Sequence, residues 1–595
     1  MQRLRFAPGR WNLEDALPSG EGERTDRKLE EIRAKAKRFE GLRAGMGGFS
    51  REELKSALGL YEEVVDGLLR TSAQAYMRYS TDTADQQVKA TLDLVEDLRA
   101  DVDNTVLFFR LWWTALDGST AASLTPENPD YRYLLGYWRK LKPHVLDEKV
   151  EQAVNLKNVT GFLGWTHHYD QVTSGFTFTM KVRGEVVKDA SGKPKKMVAE
   201  EVIKLFASPD PARREGAYRA LLGRYAEEGA VVGEVYRTIV RDWRNEYVKM
   251  RGYPSAIAMR NLENDVPDRA VDTLLAACRK NAFVFQDFFR LKAKILGRKM
   301  TRYHIYAPLA LKEKKVGYGE AVNTVIDAYN EFDPRVAELV KKVFEEEHVD
   351  ASPRRGKTHG AYCYSITPKV VPYVFLNFAG VTRDVYTIAH ELGHAIHGQL
   401  ASSHSVLTFQ PPLVLAETAS VFGEMILFDK FMREEKDVEM KRAVLLEKIT
   451  SMYSTIARQA YFVVFESQAH PAVNEGATVS DLCTLYSKSL RDQFGSAVEV
   501  PEEFKWEWTY IPHIFHTPFY CYAYAFGNLL SLALYDAYSR EGREFVPKYL
   551  KLLAYGGSKS PAGILGEVGV DISSAKLWES GFGVIRRMVR DLQKL

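Results

Sequence analysis

The sequence predicts a mainly α-helical fold with one small β-sheet. Two observations carry this. Residues 28–75, 85–120 and 211–295 set apolar side chains at helical spacing among charged ones. Strand character is confined to short stretches near 176–182 and 374–378. No internal repeat or low-complexity segment suggests another architecture.

In chain order, residues 28–75 read as charged amphipathic helices broken near 41–50, and 85–120 continue in the same style. Trp112, Trp113 and Trp138 read as core anchors. Phe176-Thr177-Phe178-Thr179-Met180-Lys181-Val182 alternates. It is followed by Asp189-Ala190-Ser191-Gly192-Lys193-Pro194, so a hairpin or short extended excursion is expected. In Ser208-Pro209-Asp210-Pro211, Asp210 is placed to cap a helix whose first turn holds Pro211. Residues 351–360 form a loop rich in Gly, Ser and basic side chains. Val374-Phe375-Leu376-Asn377-Phe378 reads as a strand.

At 595 residues the chain is long enough for a large core and two or three sub-domains. Its 81 Lys and Arg against 78 Asp and Glu leave a net charge of +3, too small a basic field for nucleic acid to be a main partner. Cys278, Cys363, Cys483 and Cys521 show no paired spacing, which fits a reducing compartment. The first ten residues carry no apolar leader core, and no run reaches the ~18 apolar residues of a membrane span. A cytoplasmic location is the expectation.

The chemistry concentrates at His390-Glu391-Leu392-Gly393-His394. Residues four apart share a helix face, so two imidazoles at this spacing can close on one metal ion. Asp384 is a plausible N-cap, and Val385, Ile388, Ala389 and Leu392 form the apolar stripe of the helix. Glu391 then stands beside the metal, where a base takes a proton from metal-bound water. A catalytic zinc needs three protein ligands and an open position. In Pro411-Pro412-Leu413-Val414-Leu415-Ala416-Glu417 a helix opens after the prolines and carries Glu417 into a small, apolar stretch. A carboxylate there is costly unless paired or metal-bound, so Glu417 is the expected third ligand. Glu424, seven residues on, either orients a ligand histidine or is a solvated or ion-paired side chain. His397 and His404 would overfill the site and read as non-ligands.

His390 to His397, followed by Leu415-Ala416-Glu417-Thr418-Ala419-Ser420-Val421-Phe422-Gly423-Glu424, resembles the oligoendopeptidase F branch of the thimet oligopeptidase family. Two further blocks agree: Ile511-Pro512-His513 with Pro518-Phe519-Tyr520, and Gly360-Ala361-Tyr362-Cys363 with the 374–378 strand. The match is strong over 350–530 and diffuse over 110–350. The branch commonly carries Asn-Glu where this chain has Gly423-Glu424. The resemblance implies a helical bowl or clamshell of zincin type, with a deep channel, one Zn2+ at its floor and a small sheet beside the metal helix. It implies short unstructured peptides as substrates, and His513 and Tyr520 over the metal as oxyanion donors, with Tyr524 a lesser candidate. Tyr522 reads as core and His516 as a loop residue.

The expected organisation is 1–110, an N-terminal helical region; 111–205, a helical subdomain with the hairpin; and 206–595, the catalytic domain. Zinc is held by His390, His394 and Glu417, with Glu391, His513 and Tyr520 as the catalytic residues. The expected activity is cleavage of internal bonds in short peptides, by a monomer or small homo-oligomer. A carboxypeptidase or dipeptidyl carboxypeptidase on the same site is the alternative. A zinc-stabilised binding protein without turnover is the reading from another class; the base Glu391 speaks against it. Arg354, Arg355 and Lys357 either hold a substrate carboxylate or form an exposed basic loop. The 374–378 strand either offers an edge to a peptide or is fully paired in the core.

Overall fold

A computed structural model describes residues 6–17, 23–309 and 315–595. The leader reading of residues 1–10 lies partly outside them. The protein is 70% helical, as the periodicity predicts, and its strands are two or three residues long. They are β1 (Lys181–Val182), β2 (Glu185–Val186), β3 (Val349–Asp350), β4 (Tyr362–Tyr364) and β5 (Tyr373–Phe375). The chain divides into two compact units interleaved in sequence. One comprises 1–148, 313–433 and 534–571; the other comprises 149–312, 434–533 and 572–595.

In the first unit, helices Glu23–Glu40, Arg51–Thr81 and Gln86–Ala115 pack together around Phe39, Leu58, Val64, Phe109 and Trp113. The break between the first two ends at Ser50, whose hydroxyl and backbone exchange hydrogen bonds with Glu53 in a capping box. Asp85 caps the third helix. Helices Tyr318–Phe332 and Pro334–Glu345 pack on Thr382–Leu400, which carries the histidine pair. That helix also lies against β4 and β5. The sheet order is β3-β5-β4, with β3 parallel and β4 antiparallel to β5. β5 is therefore the middle strand, buried and paired on both sides, and offers no edge; among the described residues β4 pairs with β5 alone.

The basic loop also differs from both expectations. Arg354 makes a two-pronged contact with Asp350 at 2.7 and 2.8 Å. Lys357 is buried and donates to Asp350 Oδ1 at 2.6 Å and to the Leu376 carbonyl at 2.5 Å. These two cations lock the loop to β3 and are spent; Arg355 alone is exposed.

In the second unit, β1 and β2 form the hairpin. Its turn falls at Arg183 and Gly184, both with positive φ, earlier than the Asp189–Pro194 signal. That signal makes a second turn, where Asp189 accepts from the Ser191 and Lys193 amides. Asp210 caps helix Pro211–Glu227 as expected. The core holds a fully buried ion pair, Arg302 with Glu507, which Arg458 joins at 3.2 Å.

Candidate metal centre

The histidine-bearing helix begins at Thr382, so Asp384 is not its N-cap but sits at the third position. From there its carboxylate accepts the amides of Ala379, Gly380 and Val381 at 2.8, 2.8 and 3.1 Å, satisfying the helix start from inside. One turn further, Val385, Ile388, Ala389 and Leu392 are buried and fix the rotation of the helix. His390 and His394 emerge on the opposite side, rings 4.9 Å apart.

Glu417 lies where helix Leu413–Ala416 ends and Thr418–Glu434 begins. Its Oε2 is 3.4 Å from His390 Nε2 and 3.6 Å from His394 Nε2. Ser420 Oγ donates to the same oxygen at 2.7 Å and aims it. The ligand atoms of His390, His394 and Glu417 all lie within 4.8 Å of one another. Donors on a tetrahedral zinc with ~2.05 Å bonds stand about 3.3 Å apart, close to the 3.4 and 3.6 Å spacings of Glu417 to the two imidazoles, so the set suits such an ion. His397 and His404 stand outside the group. His397 is buried behind it, and His404 binds Asp130 and the Ala554 carbonyl, each at 2.9 Å.

Glu424 contacts His390. The imidazole Nδ1–H donates to Glu424 Oε1 at 2.6 Å, which fixes the tautomer and turns Nε2 toward Glu417 and His394. Burial pulls the His390 pKa down, but the Glu424 hydrogen bond and charge, with Glu417 and Glu391, hold it up at about 9. Burial pushes His394 down. Glu391 is buried, which raises its carboxyl to about 7; Glu417 and Glu424 add to this and His390 opposes it. A carboxylate so disposed is a stronger base than an exposed one.

Two glycines let the ligand-bearing helices touch. A Cβ on Gly393 would stand 2.6 Å from the Ala419 carbonyl oxygen and from Ser420 Cα, two and three residues after Glu417. A Cβ on Gly423 would collide with the Tyr329 hydroxyl, which donates to the Ala389 carbonyl at 2.7 Å. The hydroxyl leaves no room for a side chain at 423. Neither role is readable without knowing which helices cross. Ser420 did leave a trace, being one turn after Glu417. The three donors and Glu391 line a cavity of about 390 Å³ together with Tyr362 and Cys363 of β4.

The aromatic block belongs to the second unit. His513 lies in the short helix His513–His516, and its ring is 6.3 Å from Tyr520 and 6.1 Å from Tyr524; the two tyrosine rings are 5.2 Å apart. The long helix starts at Tyr522 rather than just after Pro518. Phe519 takes a positive φ of 59°, its amide donates to buried Glu466 at 2.8 Å, and Arg260 holds the Pro518 carbonyl at 3.3 Å. Tyr522 points away into the core, its hydroxyl 2.8 Å from Asn264. His516 pairs with Asp170.

A helix bearing His-Glu-x-x-His, with a carboxylate from the following helix beside it, defines a metallopeptidase architecture. The chain belongs to Peptidase family M3, whose profile matches residues 205–584; that of Oligopeptidase F matches 113–178. It is a metalloendopeptidase of oligopeptidase type. Oligopeptidase PepF of Bacillus subtilis is 24% identical over 98% of this chain and 87% of its own length. Group B oligopeptidase PepB of Streptococcus agalactiae is 27% identical over 92% of each. Oligoendopeptidase-F of Enterococcus faecium has the same fold, with a TM-score of 0.72, 20% identity and coverage of 96% of this chain and 98% of its own.

Proposed function

We propose that this protein is a zinc-dependent oligoendopeptidase that hydrolyses internal bonds of short, unstructured peptides. The observation that supports this most is the convergence of His390, His394 and Glu417 with Glu391 beside them and Glu424 behind His390. His390, His394 and Glu417 hold the metal. A bound zinc ion supplies a Lewis acid for the scissile carbonyl and acidifies water at neutral pH.

Glu391 removes the proton of the attacking water and returns it to the leaving amine. Glu424 keeps the proton on His390 Nδ1, so that Nε2 presents its lone pair. His513 and Tyr520 are assigned the oxyanion, as donors of N–H and O–H. Tyr362 and Cys363 of β4 line the metal cavity, and the side of this strand not paired with β5 is assigned as backbone partner for an extended peptide. The four cysteines are free thiols, which suits the cytoplasm.

Glu391→Gln tests the reading. It should retain zinc at the wild-type ratio and lose turnover by at least ~10²-fold; full activity sinks the mechanism. Peptides with amidated C-termini separate the alternatives. An endopeptidase still cuts them at internal bonds, whereas a carboxypeptidase leaves them intact.

A further inference from the structure

A second group of metal-ligating side chains converges in the first unit, away from His390 and His394. The ligand atoms of Asp15, Glu346 and His348 all lie within 4.8 Å of one another. Helix Pro334–Glu345 ends at Glu346, Glu347 adopts a positive φ of 57°, and His348 leads into β3. That reversal brings Glu346 and His348 to one position, at a helix C-terminus, where the peptide dipoles favour positive charge. Asp15 arrives from the N-terminal segment. Asn12 donates to the Glu347 carbonyl at 2.9 Å, and the Ala16 amide donates to Tyr373 at 3.1 Å.

His348 gives the group its direction. It is fully buried, with its ring stacked on Tyr373 at 3.8 Å. Nδ1 stands 2.8 Å from the Val371 carbonyl, so Nδ1 carries the hydrogen. Nε2 is buried and faces Asp15 Oδ2 at 3.3 Å without a well-aligned hydrogen bond. A bare nitrogen and a carboxylate oxygen repel at that distance, so a proton or a metal cation lies between them, and the convergence of Glu346 as a third donor favours the cation. A carbonyl on the far nitrogen is also how proteins fix a metal-binding imidazole tautomer. The neighbouring cations leave the position accessible. Arg70 donates to the main-chain carbonyls of Asp15 and Ala16, and Lys342 is 3.9 Å from one Glu346 oxygen. Asp15 is exposed, so the position opens to solvent.

We propose that Asp15, Glu346 and His348 form a second divalent-metal site, of the zinc class, that fastens the N-terminal segment to the chain entering β3. One imidazole and two carboxylates suit Zn2+ better than the harder Mg2+ or Ca2+, which take oxygen ligands alone. The inference does not depend on the peptidase reading.

The test uses the full chain, stripped with chelator and reloaded with Zn2+ alone. A His390→Ala/His394→Ala variant, shown to be folded by circular dichroism, removes the other candidate site. It should still bind one Zn2+ per chain, and Zn2+ should slow protease cleavage within residues 9–17. Adding Asp15→Asn and Glu346→Gln, both near the surface, should abolish that ion and the protection together. His348→Gln should do the same, but its burial makes the carboxylate pair the deciding variant. No Zn2+ bound to the double-histidine variant overturns the proposal and leaves a proton-bridged His348–Asp15 pair. So does an ion that survives loss of both carboxylates.

Discussion

Replacing Gly393 with alanine adds one methyl group at the crossing of the two ligand-bearing helices. The new Cβ would stand 2.6 Å from the Ala419 carbonyl oxygen and from Ser420 Cα, about 0.8 Å short of ordinary contact. Both are main-chain atoms, so no rotamer change relieves the overlap. Helix Thr418–Glu434 must back away by a large fraction of that amount, and Glu417 moves with it. Overpacking of this kind costs about 1–3 kcal/mol of stability. A shift approaching 1 Å in a group that must meet two imidazoles costs on the order of 100-fold in rate. The assay is kcat/KM on an internally quenched peptide at saturating zinc, with a thermal melt of the same sample. The expected outcome is a ~100-fold loss of kcat/KM with a lowered Tm. Activity within twofold of wild type and an unchanged Tm would falsify the close-crossing argument.

Glu424→Ala removes the carboxylate from His390 Nδ1 and should weaken zinc binding about 10–100-fold in chelator competition; an unchanged affinity refutes its orienting role. Burial raises Glu466 to about 8, while the Phe519 amide and Arg260 pull it down. The unfolded carboxyl titrates near ~4.3, so the folded chain binds the extra proton between these values, and stability falls as pH rises through that window. Glu466→Gln keeps an acceptor for the Phe519 amide and should flatten that fall, with a Tm gain over wild type that grows toward pH ~8; parallel curves contradict this. Asp350→Asn leaves Lys357 buried beside a neutral partner and should cost about 3–5 kcal/mol in denaturant unfolding. A loss under ~1 kcal/mol means the pair is not the clasp of the loop.

What the sequence made legible was local. His390 and His394 share a face because they are four apart on one helix, and Glu417 stood out as a carboxylate in an apolar run. Features that depend on distant partners were hidden. Lys357 read as a substrate grip or an exposed base because its pairing with Asp350 is made by folding. Whether the 374–378 strand was an edge or a paired core strand stayed open because nothing local reveals that β3 and β4 flank it. Glu424 stayed ambiguous until His390 was seen 2.6 Å away. The interleaved units are a product of long-range packing, which periodicity does not encode.

The Tyr329 hydroxyl fills the space a side chain at 423 would need, while bonding to Ala389 just before the metal-binding motif. Positions 329 and 423 therefore share one volume. A side chain at 423 fits only without that hydroxyl, and the hydroxyl fits only with glycine at 423. Each single step loses packing or a hydrogen bond, and the two changes are tolerated best together. The pair is a coupled character, expected to switch as a unit among relatives of this chain.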